Sequence, residues 1–273
     1  MQTTFLFSKI LVSVSLLGVM TFGAKTFVEN RERVRLAQAE PAEKANTPAG
    51  MIYISAGAFV MGTSEPDADD DVKPSRSVFV PAFYMDRLEV TKAQFKEFKP
   101  DYLYPAGEDN LPATAVTYDE AEAYAKSLGK HVPTEAEWEK AARGTDGRRY
   151  PWGDAWEVSK VAKRAKTLGV KPDPELQKKV SNACRIAPAR VQPVGSVAGG
   201  ISPYGCLDMA GNAWEWVQGH YMDHPDQRIL RGGAVGYGER ACRTYSHAVE
   251  GATSTCNDTG FRCAKAVSSE KSR

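Results

Sequence analysis

An irregular, loop-rich α+β fold is what the sequence predicts, and three observations predict it. Strand-like runs are short, rich in β-branched and aromatic residues, and alternate apolar with polar positions. Threonines followed three residues later by glutamate mark helix starts, because hydroxyl and carboxylate each satisfy an orphan amide of the first turn. Gly at 23 and Pro at 16 among 273 residues place turns at short intervals. A hydrophobic content of 42% with 25% charged residues excludes a wholly disordered chain and a multi-span membrane protein. With 35 Lys and Arg against 34 Asp and Glu, no basic footprint for nucleic acid exists.

The elements follow in order. From Ile10 to Ala24 the chain carries no charge, which reads as a secretory signal or a single membrane anchor. Residues 1–36 are assigned to this segment, and export to a periplasmic or other extracytoplasmic space is expected, with membrane contact if the segment is uncleaved. Residues 37–49 form an Ala/Pro/Glu linker without periodicity. The folded domain spans 50–266, and 267–273 is a tail. MIYISAGAFVMG reads as a hairpin turning at Gly57, EPDADDDVKP as a polar acidic loop, and SVFVPAFYMDRLEV as a strand pair broken at Pro81. Thr91 caps a short helix through Phe98. Thr117 with Glu120, and Thr134 with Glu137, are capping boxes opening helices that end at Gly129 and Gly144.

Beyond Gly144 loops dominate. Residues 155–181 carry seven Lys or Arg against three acids, with Val158, Val161, Ala162, Ala165 and Leu168 at helical spacing. This insertion is either a solvated surface helix or a docking helix for an envelope partner. His220 and His224 have i, i+4 spacing, but Gly219 and Pro225 flank them and favour a loop. His247 follows Cys242 by five residues. The five cysteines, Cys184, Cys206, Cys242, Cys256 and Cys263, can pair in an oxidising compartment; the sequence leaves open whether Cys242 is bridged or free.

The fragments MIYISAGAFVMG, AFYMDRLEVT, PTEAEWEKAARG, YPWGD, PYGCLDMAGNAWEW, RGG and GFRCA occur in one order, and together resemble the formylglycine-generating enzyme family, the sulfatase-modifying factor domain. The resemblance covers roughly residues 50–266. It implies a compact fold distantly related to C-type lectins, often held by calcium. It further implies an enzyme that oxidises a substrate cysteine to formylglycine with molecular oxygen and copper bound by two cysteines. Calcium would be bound by the side chains of Asp208 and Glu215 and the carbonyls of Gly211 and Ala213. The residues themselves allow either this loop of converging oxygens or a hydrogen-bonded turn without metal. A second calcium site would begin at Asn182, but the acidic ligand expected downstream is missing.

One departure bears on activity. Laid on RGGAVGYGERACRTYSH, the family's serine falls on Ala234, its first copper cysteine on Tyr237 and its second on Cys242. Cu(I) selects soft thiolates, and a phenol with a reference pKa near 10 is a poor substitute, so copper is not expected to bind as in the family's oxidases. The candidate catalytic residues are Cys242, Tyr237 and Trp214, with Tyr245 lining the same pocket. With four histidines and no additional helical domain, the chain lacks the parts of the family's iron-dependent sulfoxide synthases. The expected function is an exported oxidoreductase-type maturation factor acting on a peptide, protein or peptide-derived substrate, and not a standard formylglycine generator. The alternatives are a non-catalytic lectin-like module for a peptide or envelope partner, and a siderophore chromophore maturation oxidase of the pyoverdine type.

Overall fold

The computed structural model describes residue 40, residues 42–162 and residues 191–267. The chain divides into two units, Met1–Asn46 and Thr47–Arg273. In the first, residues 42–45 are helical, and the Asn46 N–H donates to the Ala42 carbonyl at 3.0 Å, so the linker carries a helical turn that its composition did not suggest. The apolar run Ile10–Ala24, Asn182, Cys184 and most of the 155–181 insertion lie outside the described residues. No helix among the described residues is long and apolar enough to cross a membrane.

The second unit is built from three small sheets and short helices. Strands β1 (Met51–Ile54) and β2 (Gly57–Met61) do not pair with each other, contrary to the expected hairpin. Instead β1 pairs with β4 (Phe83–Asp86), from Met51↔Asp86 to Ile54↔Phe83, and β2 pairs with β3 (Arg76–Val80), from Gly57↔Val80 to Met61↔Arg76. The true hairpin is therefore one long ribbon, 51–61 against 76–86, and its turn is the acidic loop. It breaks where Pro81, which has no ladder N–H to give, faces the Ser55–Ala56 step. Lys140 closes that break, its Nζ donating to the carbonyls of Ser55 (2.6 Å) and Gly57 (3.0 Å). Burial pulls its ammonium down to about 8.

Three helices carry the capping boxes. In α1 (Lys92–Phe98), α2 (Tyr118–Ser127) and α3 (Glu135–Arg143), Thr91, Thr117 and Thr134 accept from the N–H of Gln94, Glu120 and Glu137, whose side chains accept back from the threonine N–H. The box at Thr91 uses Gln94, a partner that the sequence reading did not assign. The acidic loop is not merely solvated. Arg243 pairs with Asp67 at 2.9 Å, and Asp71 accepts from the Tyr221 hydroxyl at 2.9 Å and contacts His247 Nε2 at 3.1 Å.

A four-stranded sheet in the order β7-β6-β5-β8 carries the site: β5 (Trp214–Trp216), β6 (Gln227–Arg231), β7 (His247–Gly251) and β8 (Thr259–Gly260). The last strand, β9 (Ala264–Ala266), returns to β4. Two apolar clusters flank β5. One gathers Phe95, Tyr124, Trp214, Trp216 and Phe261, the other Ile54, Phe59, Phe83, Trp138 and Met209.

Candidate functional site

The helix α3 has no ordinary apolar face: Trp138, Glu139, Lys140 and Arg143 are all buried. Burial of those charges is tolerable because each is matched. Glu139 Oε1 accepts from Arg143 and from the Gly62 N–H, each at 2.7 Å, and Oε2 accepts from Arg231 at 2.9 Å. Arg231 also reaches Glu135 at 2.7 Å. On β5, Glu215 is gripped by Arg262 through two bonds of 2.7 Å, and the Trp138 indole N–H donates to Oε2 at 2.7 Å. Arg262 additionally donates to the carbonyls of Asp86, Arg87 and Leu207. This lattice fixes the loop from Asp208 to Ala213, in which Asp208 (φ 57°) and Asn212 (φ 67°) take the left-handed conformation that short polar side chains tolerate.

That loop is the expected calcium site, and its charge balance can be read directly. Glu89 is buried, and one of its oxygens accepts from Asn212 Nδ2 at 2.8 Å while Oε2 has no partner. Burial, then the nearby Asp208, holds its carboxyl well above the usual carboxylate range, against the pull of Arg262. Asp208 Oδ2 accepts the Gly195 N–H. Glu215 spends three of about four acceptor directions on Arg262 and Trp138. Three carboxylates around one guanidinium, with one oxygen orphaned, are a donor set that fits a hard cation. No group of three or more His, Cys, Asp or Glu among the described residues is arranged to hold a metal. The sequence reading missed Glu89, Asn212 and Arg262, although the first and last lie in the quoted fragments AFYMDRLEVT and GFRCA.

Two of the catalytic candidates meet. Trp214 is buried, and the Tyr237 ring stands edge-on to it, centroids 5.6 Å apart at 81°. Tyr237 is 51% exposed, and its hydroxyl donates to Asp258 Oδ2 at 3.4 Å. Trp214 N–H donates to the Asp258 carbonyl at 2.8 Å, so β5 and the residue before β8 position both ends of this contact. Burial, then Asp258, keeps the Tyr237 phenol above its ordinary value; burial and the neighbouring Glu250 raise the Asp258 carboxyl. Asp258 was not anticipated, since a single aspartate between Asn257 and Thr259 carries no sequence signal.

Cys242 is a free thiol, only 1% exposed, and burial pushes it up to about 12. Its Sγ packs over Gly233, where an added methyl would stand 3.0 Å from the sulfur and 2.9 Å from the Ala241 carbonyl. A neutral, enclosed thiol is neither a nucleophile nor a metal ligand in that state. Cys206 and Cys263 are also free, and Cys256 is disulfide-bonded. Tyr245, expected on the same wall as Trp214, belongs to another set. It is buried, its hydroxyl donates to Glu65 at 3.1 Å, and the guanidiniums of Arg143 and Arg243 lie 5.5 and 6.0 Å from its ring. His220 and His224 lie on a loop, the first bonded to the Pro225 carbonyl and the second stacked on Tyr221.

The architecture is that of PvdO from Pseudomonas aeruginosa, whose structure superposes with a TM-score of 0.60 at 22% identity over 78% of this chain and 93% of that one. The chain belongs to the family of the sulfatase-modifying factor enzyme 1-like domain, whose model matches residues 36–267. Among its relatives, the inactive C-alpha-formylglycine-generating enzyme 2 of Mus musculus is 27% identical over 83% of this chain and 89% of its own. Hercynine oxygenase of Mycolicibacterium smegmatis is 28% identical over 71% of this chain but only 56% of its own length.

Proposed function

We propose that the protein is an oxidoreductase-type maturation factor of this family, acting on a peptide or peptide-derived substrate by a chemistry other than formylglycine formation. The observation that carries this reading is at the copper position. A half-exposed phenol, Tyr237, stands where a thiolate is needed, and the remaining thiol, Cys242, is buried and protonated. The test has two arms. A cysteine peptide of the sulfatase type, offered with Cu(I) and oxygen, should yield no formylglycine. Mass spectrometry of exported peptides and peptide-derived products from wild-type and deletion strains should show a product whose oxidised form requires the gene. Identical profiles would overturn the enzymatic reading. They would favour the non-catalytic binding module, for which the inactive mouse relative is the supporting parallel. A siderophore chromophore precursor of the pyoverdine type is the narrower substrate alternative, decided by the same profiles.

The proposal extends to location and ion. Export, with or without a retained anchor, is supported by the uncharged run Ile10–Ala24 and by the disulfide at Cys256. Fractionation of cells carrying the full chain tests it. Calcium is proposed at Asp208, Gly211, Ala213 and Glu215, supported by the orphaned Glu89 Oε2. A melting temperature lowered by a chelator and restored by calcium is the expected result; an unchanged one removes the ion. Docking of an envelope partner through residues 155–181 is tested by deleting them and measuring partner recovery.

A further inference from the structure

We infer that Trp214, Tyr237 and Asp258 form a binding site for a cationic group, an alkylammonium or guanidinium, with Tyr237 as its cover. The inference deepens the reading above and rests on it, since it names the charge of the substrate that this cleft takes.

The argument starts from unmatched charge. The buried and half-buried carboxylates elsewhere are met by cations: Glu139 by Arg143 and Arg231, Glu215 by Arg262, Asp86 by Lys130, and Glu65 by Arg149. Glu89 and Asp208 belong to the proposed calcium loop. Asp258 and Glu250 remain, close enough for Glu250 to raise the Asp258 carboxyl, and neither makes an ion pair among the described residues. What Asp258 does receive is weak. The Tyr237 hydroxyl reaches Oδ2, and the Thr259 hydroxyl reaches Oδ1, each at 3.4 Å, at the far limit of a hydrogen bond. A carboxylate with both oxygens under-used has acceptor capacity for a stronger donor.

The surroundings select the donor. Trp214 and Tyr237 present ring surface beside the carboxylate, and aromatic faces attract cations. Glu250 adds negative potential, which disfavours an anion. Asp258 is half-buried, so a cation that reaches it trades water for a shorter, less screened contact. Access depends on Tyr237. It stands between Gly236 (φ +93°) and Gly238, and at neither glycine does any heavy atom lie within 4 Å of where a Cβ would point. That turn of backbone is not wedged by neighbours, and moving the phenol aside gives up one long hydrogen bond and one edge-on ring contact.

Calorimetric titration of the full chain with Nα-acetyl-arginine methylamide and its neutral isostere Nα-acetyl-citrulline methylamide tests the site. The arginine compound should bind at least ten-fold tighter. Asp258→Asn should bring the two to parity, while Tyr237→Phe, which releases the carboxylate but keeps the ring, should retain the preference. Equal binding of the two probes by the wild-type protein, or an undiminished preference in Asp258→Asn, would overturn the inference. The wild-type comparison stands even if the Asp258 variant fails to fold. A cation preference without any oxidised product leaves this inference standing and removes the enzymatic reading. Oxygen-dependent conversion of a neutral peptide, with no preference between the probes, does the reverse.

Discussion

Carboxylates border β5 on two sides, and the two groups differ in how their charge is met. Toward α3 and Arg262, Glu139 and Glu215 have every oxygen bonded, with guanidiniums at 2.7 to 2.9 Å. Toward β8, Asp258 has only two hydroxyls at 3.4 Å and a second carboxylate for company. The first arrangement costs desolvation and repays it with geometry, so its charges are structural. The second leaves a carboxylate raised and unspent, which is what a site awaiting a partner looks like. The contrast separates residues that build the fold from residues that meet a ligand, within one small sheet.

The largest effect should come from breaking the matched side. Arg262→Met leaves Glu215 buried without its cation and strips the carbonyls of Asp86, Arg87 and Leu207 of a donor; urea unfolding should show a loss of about 3–5 kcal/mol. A cap removal is next. Thr134→Ala removes the acceptor of the Glu137 N–H and should cost about 1 kcal/mol, with α3 the element whose amide exchange quickens. Asp258→Asn should fall at the bottom of the stability scale, within about 0.5 kcal/mol at neutral pH, or slightly stabilise. Its signature is instead a pH profile. A carboxyl raised in the folded state keeps its proton longer there than in the unfolded chain. Its contribution is therefore full below about 3.8 and is lost as pH rises through the raised folded value. Glu89 has the same sign and persists in both proteins, so the difference between wild type and Asp258→Asn isolates Asp258. Smallest of all is the expected reactivity of Cys242. With its thiol up at about 12, iodoacetamide at pH 8 should label it at least 100-fold more slowly in the native protein than after unfolding.

Much of this was legible in the chain. Threonine and glutamate three apart specify a helix start by local chemistry alone, and both boxes of that kind formed as expected. The break at Pro81 was equally local. What the residues could not reveal was partnering at a distance. MIYISAGAFVMG has the alternation of two strands, but whether they pair with each other depends on a ribbon partner more than twenty residues on and on Lys140 occupying the break. The site divides likewise. Trp214 and Tyr237 could be named from position in the resemblance, and they do touch. Tyr245 could not be placed, because Glu65 and two arginines from three separate segments claim it. Asp258 was invisible because its distinction is a lack of partners, which only three dimensions display.

The return of β9 to β4 has a topological consequence. Met51 lies opposite Asp86 on one side of β4, and Ala266 lies opposite Phe83 on the other. Three residue steps at about 3.3 Å and two strand spacings of about 4.8 Å separate them, so the ends of the domain stand within about 15 Å of each other. A few glycines and serines could join residue 47 to residue 267, and new termini could be opened in the exposed turn at Gly107. Such a circular permutant would keep every ladder intact while freeing the domain from whatever its natural ends are attached to.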